Sequence, residues 1–177
     1  MKRDIWLWQL WGFAVTSLGG TVLHFLYDWT GQSLLAAPFS GVNESTWEHM
    51  KLLFWPMFIF TLIGWRAGRP GRDYFCVKLI GTVAGLLLIP ALFYTANGAF
   101  GPTPDWLNIA IFFVAAGLAY LLEGWLFARE LVACRRPWAA VLVFCLLALA
   151  FAVFTFIPPQ IPLFADPLDG SFGIGTR

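Results

Sequence analysis

The sequence predicts an all-α protein, a bundle of about five transmembrane helices with the N-terminus cytoplasmic and the C-terminus outside. Of the 177 residues, 59% are hydrophobic and only 12% are charged. Apolar runs of about 20 residues recur along the chain, the length that crosses a hydrocarbon core of about 30 Å. Segments rich in glycine and proline separate these runs. We therefore expect residues 1–177 to form one membrane domain.

The first span is predicted at 5–27, after the basic start Met1–Asp4, and its apolar stretch is too long for a cleaved signal peptide. The second and third are predicted at 47–65 and 74–96, separated by the turn-rich segment 68–71. Pro56 and Pro90 fall inside these two spans, where membrane helices tolerate proline. The fourth, at 106–128, follows the break 98–104, and the fifth, at 138–157, follows the break 134–137.

Lysine and arginine residues predict the orientation, because they concentrate on the cytoplasmic side of membrane proteins. If the spans alternate in direction, nine basic residues fall on the side of the N-terminus and two, Lys51 and Arg177, fall on the other. Acidic residues collect on that other side, which also holds both histidines. We therefore predict an acidic extracytoplasmic face. The nine are Lys2, Arg3, Arg66, Arg69, Arg72, Lys78, Arg129, Arg135 and Arg136.

The C-terminal segment 158–177 is apolar for a tail, since it contains Ile161, Leu163 and Phe164. Such side chains are normally buried. We expect this tail to pack over the outer end of the bundle or to lie among the lipid headgroups.

Two histidines and several carboxylates fall near the predicted outer ends of the first two spans. His24 and Asp28 are four residues apart and share one helix face, so Asp28 is predicted to orient His24. The second span opens with Glu48 and His49. We predict that His24, Glu48 and His49 act as catalytic acid–base groups or as ligands of a divalent metal such as zinc.

Three further residues of the segment 42–51 are predicted to contact a ligand: Asn43, Glu44 and Lys51. A purely structural interpretation competes, because Ser45-Thr46-Trp47-Glu48 fits a capping box, with Ser45 as N-cap and Glu48 reaching back to it. Capping and a functional site are compatible.

Glu123 lies inside the fourth span, where an ionisable group indicates a functional site by default. It is either a carboxylate that binds and carries protons in a transporter or the ion-pair partner of Lys78, which lies at comparable depth. Tyr120, one turn earlier, is placed to hydrogen-bond it. The three cysteines, Cys76, Cys134 and Cys145, lack metal-ligand spacing and are predicted to be free thiols.

The segment Val42-Asn43-Glu44-Ser45-Thr46-Trp47-Glu48-His49-Met50-Lys51 resembles a family of uncharacterised, small bacterial membrane proteins with an N-E-S-x-W-E-H-x-K segment. The end of the first span, His24–Asp28, also resembles that family, and so does the tail segment Ile161–Pro167. The resemblance implies a multi-pass protein of the bacterial cytoplasmic (inner) membrane and carries no activity.

Three functions are compatible with these residues. The favoured one is an outer-face ligand site, interpreted as a metal-dependent enzyme that acts on a lipid-like substrate. The second is an oligomeric transporter of ions or protons, with a small cation as ligand and Glu123 on its path. The third is an accessory protein that binds a partner through its outer face. The bilayer is the expected environment, a homo-oligomer is considered, and the net charge of +1 argues against nucleic acid.

Overall fold

The computed structural model describes residues 2–68, 71, 73–101 and 104–174. The fold is all-α, as predicted. Its helices are α1 (Lys2–Trp29), α2 (Thr46–Arg66), α3 (Tyr74–Phe100), α4 (Asp105–Arg129) and α5 (Pro137–Phe156), followed by a 3₁₀ turn, Pro162–Phe164. Each predicted span falls on one helix, with ends that differ by a few residues.

Four helices, α1, α3, α4 and α5, are long and apolar enough to cross a membrane. The second helix is different because Glu48, His49 and Lys51 in its first turns lower its mean hydropathy. Most of α2 is buried, 13 of its 21 residues. Polar residues inside a bundle need neighbouring protein groups rather than lipid, so a buried central helix can carry them.

The helix α2 is central, since it packs against α1, α3, α4 and α5. Its residues Leu53, Phe54 and Met57 are at most 1% exposed. The ring of Phe54 lies 4.9 Å from that of Phe151 of α5, a distance at which aromatic pairs attract. An apolar core thus surrounds the middle of α2.

Two buried ion pairs lie on either side of this core. Lys51 Nζ is 2.6 Å from Glu48 Oε2 on α2. Lys78 Nζ of α3 is 2.5 Å from Glu123 Oε2 of α4, so the predicted Lys78–Glu123 pair is confirmed. The predicted bond from Tyr120 to Glu123 is wrong, because the Tyr120 hydroxyl lies 2.8 Å from Thr16 Oγ1 instead.

The tail folds back over the start of α2. Phe164 is buried, and its ring lies 4.6 Å from that of Trp47. The Ile174 amide donates to the Thr155 carbonyl of α5 at 3.3 Å. Residues 158–174 therefore pack on the bundle end that holds the start of α2, whereas 175–177 lie outside the described residues.

The prediction of three free thiols is wrong for two of them. Cys76, in the first turn of α3, forms a disulfide with Cys134 in the loop before α5. Their Cα atoms are 5.9 Å apart across a sequence separation of 58. The spacing of the cysteines held no signal of this pairing, since the fold alone brings the two segments together. Cys145 is free and exposed.

Candidate metal centre

Three side chains converge where α1 ends and α2 begins: His24, Glu44 and His49. His24 Nε2 lies 3.7 Å from Glu44 Oε1, and His49 Nε2 lies 3.6 Å from Glu44 Oε2. One ligand atom from each residue lies within 4.8 Å of the others. We call this set the His24–Glu44–His49 cluster.

The loop between α1 and α2 is fixed to α1, which positions Glu44. The Ser40 hydroxyl donates to the Leu23 carbonyl at 2.5 Å and accepts from the Tyr27 amide at 2.8 Å. The Gly41 amide also donates to the Leu23 carbonyl, at 3.3 Å. The loop therefore returns along the last turns of α1 and brings Glu44 beside His24.

His49 is oriented by the backbone of its own helix. Its Nδ1 lies 3.0 Å from the carbonyl oxygen of Ser45. A carbonyl oxygen can only accept, so Nδ1 carries the proton and the Nε2 lone pair points toward Glu44. Metal-binding histidines commonly have this arrangement, in which the second nitrogen donates to a carbonyl or carboxylate.

The spacing of the cluster is wider than that of a bound tetrahedral metal. With bonds of about 2.0–2.2 Å to nitrogen and oxygen, adjacent ligand atoms of such a metal lie about 3.3–3.6 Å apart. The two histidines face different oxygens of Glu44, at 3.7 and 3.6 Å, and one ligand atom from each residue lies within 4.8 Å of the others, so the side chains must close by about 1 Å to hold an ion. Two histidines and one glutamate are also a ligand set of catalytic zinc sites, in which the fourth position stays open.

The backbone of Glu44 is held by the tail. Its amide donates to Asp166 Oδ2 at 2.9 Å, across 122 positions of sequence. The neighbouring side chain of Asn43 makes two further hydrogen bonds. Its Oδ1 accepts from the Ser45 amide at 3.0 Å, and its Nδ2 donates to the Gly173 carbonyl of the tail at 3.2 Å. Both amide atoms of Asn43 thus hold backbone groups, and its predicted contact with a ligand stays a prediction.

Glu48 is not part of the cluster; the carboxylate that this segment brings beside the two histidines is that of Glu44. Glu48 is 2% exposed and pairs with Lys51, and its Oε2 accepts from the Val42 amide at 3.0 Å. Ser45 caps α2 as predicted, because its hydroxyl accepts from the Glu48 amide at 3.4 Å. The predicted return bond of the capping box, from the Ser45 amide to the Glu48 carboxylate, is wrong, because this carboxylate accepts from the Val42 amide instead.

The remaining candidate residues lie apart from the cluster. Lys51 Nζ is buried and donates to the Ala37 carbonyl and to Thr155 Oγ1, at 2.8 and 2.9 Å. Asp28 is exposed near the end of α1, and its carbonyl accepts from the Gly31 amide at 3.0 Å. Glu123 lies in the other half of the bundle with Lys78.

Two cavities adjoin the cluster, and His24 and His49 line both. The first, of about 160 Å³, lies between α1, α2 and α4 and is almost wholly apolar. The second, of about 270 Å³, is more polar and extends under the tail; it is also lined by Glu44, Asn108, Ile109, Pro167 and Leu168. The cluster therefore stands between an almost wholly apolar cavity and one with a larger polar share in its lining.

Two residues at this site had no clear signal in the sequence. Asn108 and Asp166 resemble ordinary cap and turn residues, because nothing in their spacing connects them to Glu44. Only the packing of α4 and of the tail brings them to the site.

No curated protein and no solved structure is significantly similar to this chain. The sequence does match a family of proteins over residues 2–174, which is nearly its whole length. The expected membership in an uncharacterised family is thereby confirmed: the chain belongs to the family of unknown function DUF6512.

Proposed function

We propose that this protein is a membrane-embedded, metal-dependent enzyme in which His24, Glu44 and His49 hold a divalent metal, most simply zinc. One observation carries the proposal: three ligand atoms lie within 4.8 Å of one another at the wall of an apolar cavity. Their exposure is intermediate, with side chains 32%, 43% and 19% accessible for His24, Glu44 and His49. A ligand can thus reach the cluster, and the protein still excludes much of the solvent.

The chemistry that this ligand set supports best is hydrolysis. A zinc ion with three protein ligands supplies an activated water at its open position. In the overall hydrolysis, the bond between the electrophilic carbon or phosphorus and the leaving group would break, the electrophile would take the hydroxyl of water, and the leaving group would take the remaining proton. The role of the chain is to fix the ligands, which the Ser45 carbonyl does for His49 and Asp166 does for the backbone of Glu44.

The two chambers support an amphiphilic, lipid-like substrate. An apolar chain fits the cavity between α1, α2 and α4, and a polar headgroup fits the chamber under the tail. The bond to be cleaved would then lie near the histidines, which line both chambers. Pockets of this kind, mostly apolar with few polar groups, are typical of small-molecule sites.

We further propose that the cluster faces the extracytoplasmic side of the bacterial cytoplasmic membrane, with all five helices spanning. The opposite end of the bundle carries Arg3, Arg66, Arg129, Arg135 and Arg136, which favours the cytoplasm for that end. Arg69, Arg72 and Arg177, which also entered the charge count, lie outside the described residues.

The alternative of a transporter has less support. The Phe60 ring of α2 lies 5.2 Å from Lys78 Nζ and so marks the level of the second ion pair. From Lys51 to Phe60, α2 rises by about 13 Å. Leu53, Phe54 and Met57 fill this interval and are at most 1% exposed. The described residues thus place an apolar layer between the two buried ion pairs, where a conduction path would need polar groups.

The proposal is tested by metal content. The protein, purified without a His-tag or chelator, is loaded with zinc, washed, and analysed by mass spectrometry beside His24→Ala, Glu44→Ala and His49→Ala. We expect about one zinc per chain in the wild type and a large loss in each variant, because three ligands are the minimum for such a site.

Two matched controls accompany these variants. Asp28→Asn removes an exposed carboxylate at the same bundle end, and Glu48→Gln/Lys51→Met removes a buried one together with the ammonium group that it pairs with. Both are expected to retain zinc. A folded wild type without bound metal, or loss of zinc in the Asp28→Asn control alone, would contradict the site.

A further inference from the structure

Phe112 of α4 separates two spaces beside the cluster. It lines the apolar cavity between α1, α2 and α4, of about 160 Å³. It also lines a smaller crevice between α2, α3 and α4, whose other walls include Ile89, Phe93 and Ile111. His49 borders both spaces as well. The ring of Phe112 is therefore a partition, and the crevice beyond it is mostly apolar.

The partition is held by a glycine on the neighbouring helix. A Cβ atom on Gly20 of α1 would lie far inside van der Waals contact with Phe112 Cζ. The tip of the ring thus rests against the backbone of α1 because residue 20 has no side chain. Phe112 is 8% exposed, so this ring is nearly buried. Its position is determined by packing on both sides.

The open side of the apolar cavity faces away from the bundle. Its rim includes Phe25, Ile109 and Phe113, which are 45%, 58% and 37% exposed. Apolar side chains exposed on a membrane helix contact lipid. An alkyl chain can therefore enter the cavity sideways from the bilayer, between α1 and α4, without passing through water.

We infer that the apolar cavity receives one alkyl chain of the substrate and that Phe112 limits the length of that chain. The inference rests on the proposed metal centre, because the headgroup must be held at His24 and His49 for the chain to reach Phe112. In the wild type a chain ends at the ring. If the ring is removed, the space that it vacates joins the cavity to the crevice beside Ile89, Phe93 and Ile111, which adds only about 10 Å³ of its own, and longer chains fit.

The test uses a homologous series of n-alkyl hydroxamic acids, whose headgroup ligates metal ions. They are titrated into the Co²⁺-loaded protein in lipid nanodiscs, and binding is followed by the visible absorption of the cobalt. A chain in the bilayer is already out of water, so differences between chain lengths report the fit inside the protein. We expect wild-type affinity to fall beyond a limiting length.

Phe112→Ala is expected to move that limit to longer chains. A single methylene that fits or does not fit a pocket changes binding by about tenfold or more, so the longest chains should gain at least that factor. Phe112→Leu, which is milder to the core, should give a smaller shift in the same direction. Phe144→Ala is the matched control: it removes an identical, buried ring of α5 that lines neither space, and should leave the limit unchanged.

The outcomes separate the two proposals. Cobalt that fails to bind the wild type contradicts the metal centre itself. Cobalt that binds, with hydroxamate affinity independent of chain length or with the same limit in Phe112→Ala and Phe144→Ala, overturns the role of Phe112 and leaves the metal centre standing. Metal stoichiometry, measured on every variant, shows whether the fold around the cluster is intact.

Discussion

Lys51 shows how one charged side chain can be accommodated inside the bundle. It is fully buried, and its ammonium group contacts Glu48, the Ala37 carbonyl and the Thr155 hydroxyl. These groups belong to α2, to the loop before it and to α5. The pair thus ties three segments together, but removing one partner would leave the other charge buried without compensation.

We predict that Lys51→Met destabilises the protein by about 3–5 kcal/mol, the usual cost of an uncompensated buried charge. The double variant Glu48→Gln/Lys51→Met should recover more than half of the lost stability, because it leaves no charge buried at this site. The side-chain oxygen of the introduced glutamine can also still accept from the backbone amide of Val42. Thermal unfolding in one detergent measures both. A double variant as unstable as Lys51→Met alone would mean that the contacts of Lys51 with Ala37 and Thr155 dominate.

At the residue scale, the sequence predicted the cluster only in part. His24 and His49 were identified because two histidines in an apolar chain are conspicuous. The carboxylate was assigned to Glu48, next to His49, whereas the structure places Glu44 there. Helix geometry keeps Glu48 away from the cluster, because residue 48 lies about 100° around the axis of α2 from His49 and its side chain faces Lys51. The position of Glu44 depends on the conformation of the loop, which no periodicity predicts.

Helices α3 and α4 approach closely at Gly81. A Cβ atom there would lie 2.6 Å from Glu123 Oε1 and closer still to Glu123 Cγ. The glycine therefore leaves the space in which Glu123 turns toward Lys78. Small residues are typical of such close approaches between membrane helices.

We predict that Gly81→Ala destabilises the bundle by about 1–3 kcal/mol, because the added methyl group overpacks the Lys78–Glu123 pair. Gly98→Ala, on the same helix, is the control. A Cβ atom at residue 98 meets nothing within 4 Å, so the change should stay within about 1 kcal/mol. Unfolding midpoints of both variants in the same nanodiscs compare them. Equal midpoints would show that the backbone of α3 yields at Gly81.

At the element scale, the positions of the helices can be predicted from the sequence. The predicted third span began at Tyr74, as α3 does, and the predicted fourth span at Trp106 began one residue after the start of α4. Hydropathy and proline or glycine breaks determine helix ends locally, so they can be read from sequence. The central position of α2 could not be read in this way, because it depends on contacts with the other four helices.

On the scale of the whole molecule, the tail belongs to the site. Asp166 Oδ2 accepts from the Glu44 amide, and its Oδ1 accepts from the Leu168 amide at 2.8 Å. The first bond fixes the backbone of Glu44, the proposed metal ligand, whereas the second shapes the turn of the tail. The C-terminal segment thus acts on the cluster through hydrogen bonds.

We predict that Asp166→Ala weakens zinc binding by about 10–100-fold, the range found when groups that support metal ligands are removed. Asp169→Ala changes the same turn, where its carboxylate accepts from the Ser171 amide, and should weaken binding much less. Competition with a zinc-binding dye gives the affinities. Similar losses in both variants would mean that the fold of the tail matters rather than its bond to Glu44.

The disulfide lies at the basic end of the bundle, with Arg66 and Arg129. In the proposed orientation, which the positive-inside rule favours, this end lies in the cytoplasm, where cellular reductants keep thiols reduced. We therefore predict that Cys76 and Cys134 are thiols in growing cells and pair after treatment with an oxidant. Thiol labelling of acid-quenched cells, before and after diamide, measures this. A disulfide already complete in untreated cells would place the basic end outside and reverse the proposed orientation.

The bond between Glu44 and Asp166 also has a consequence for biosynthesis. Glu44 emerges from the ribosome 122 residues before the group that holds its backbone. The proposed metal site is therefore held in its described form only after Asp166 has been made, long after α1 and α2. A chain truncated before Asp166 would keep His24, Glu44 and His49 but lack the bond that fixes the backbone between the two histidines.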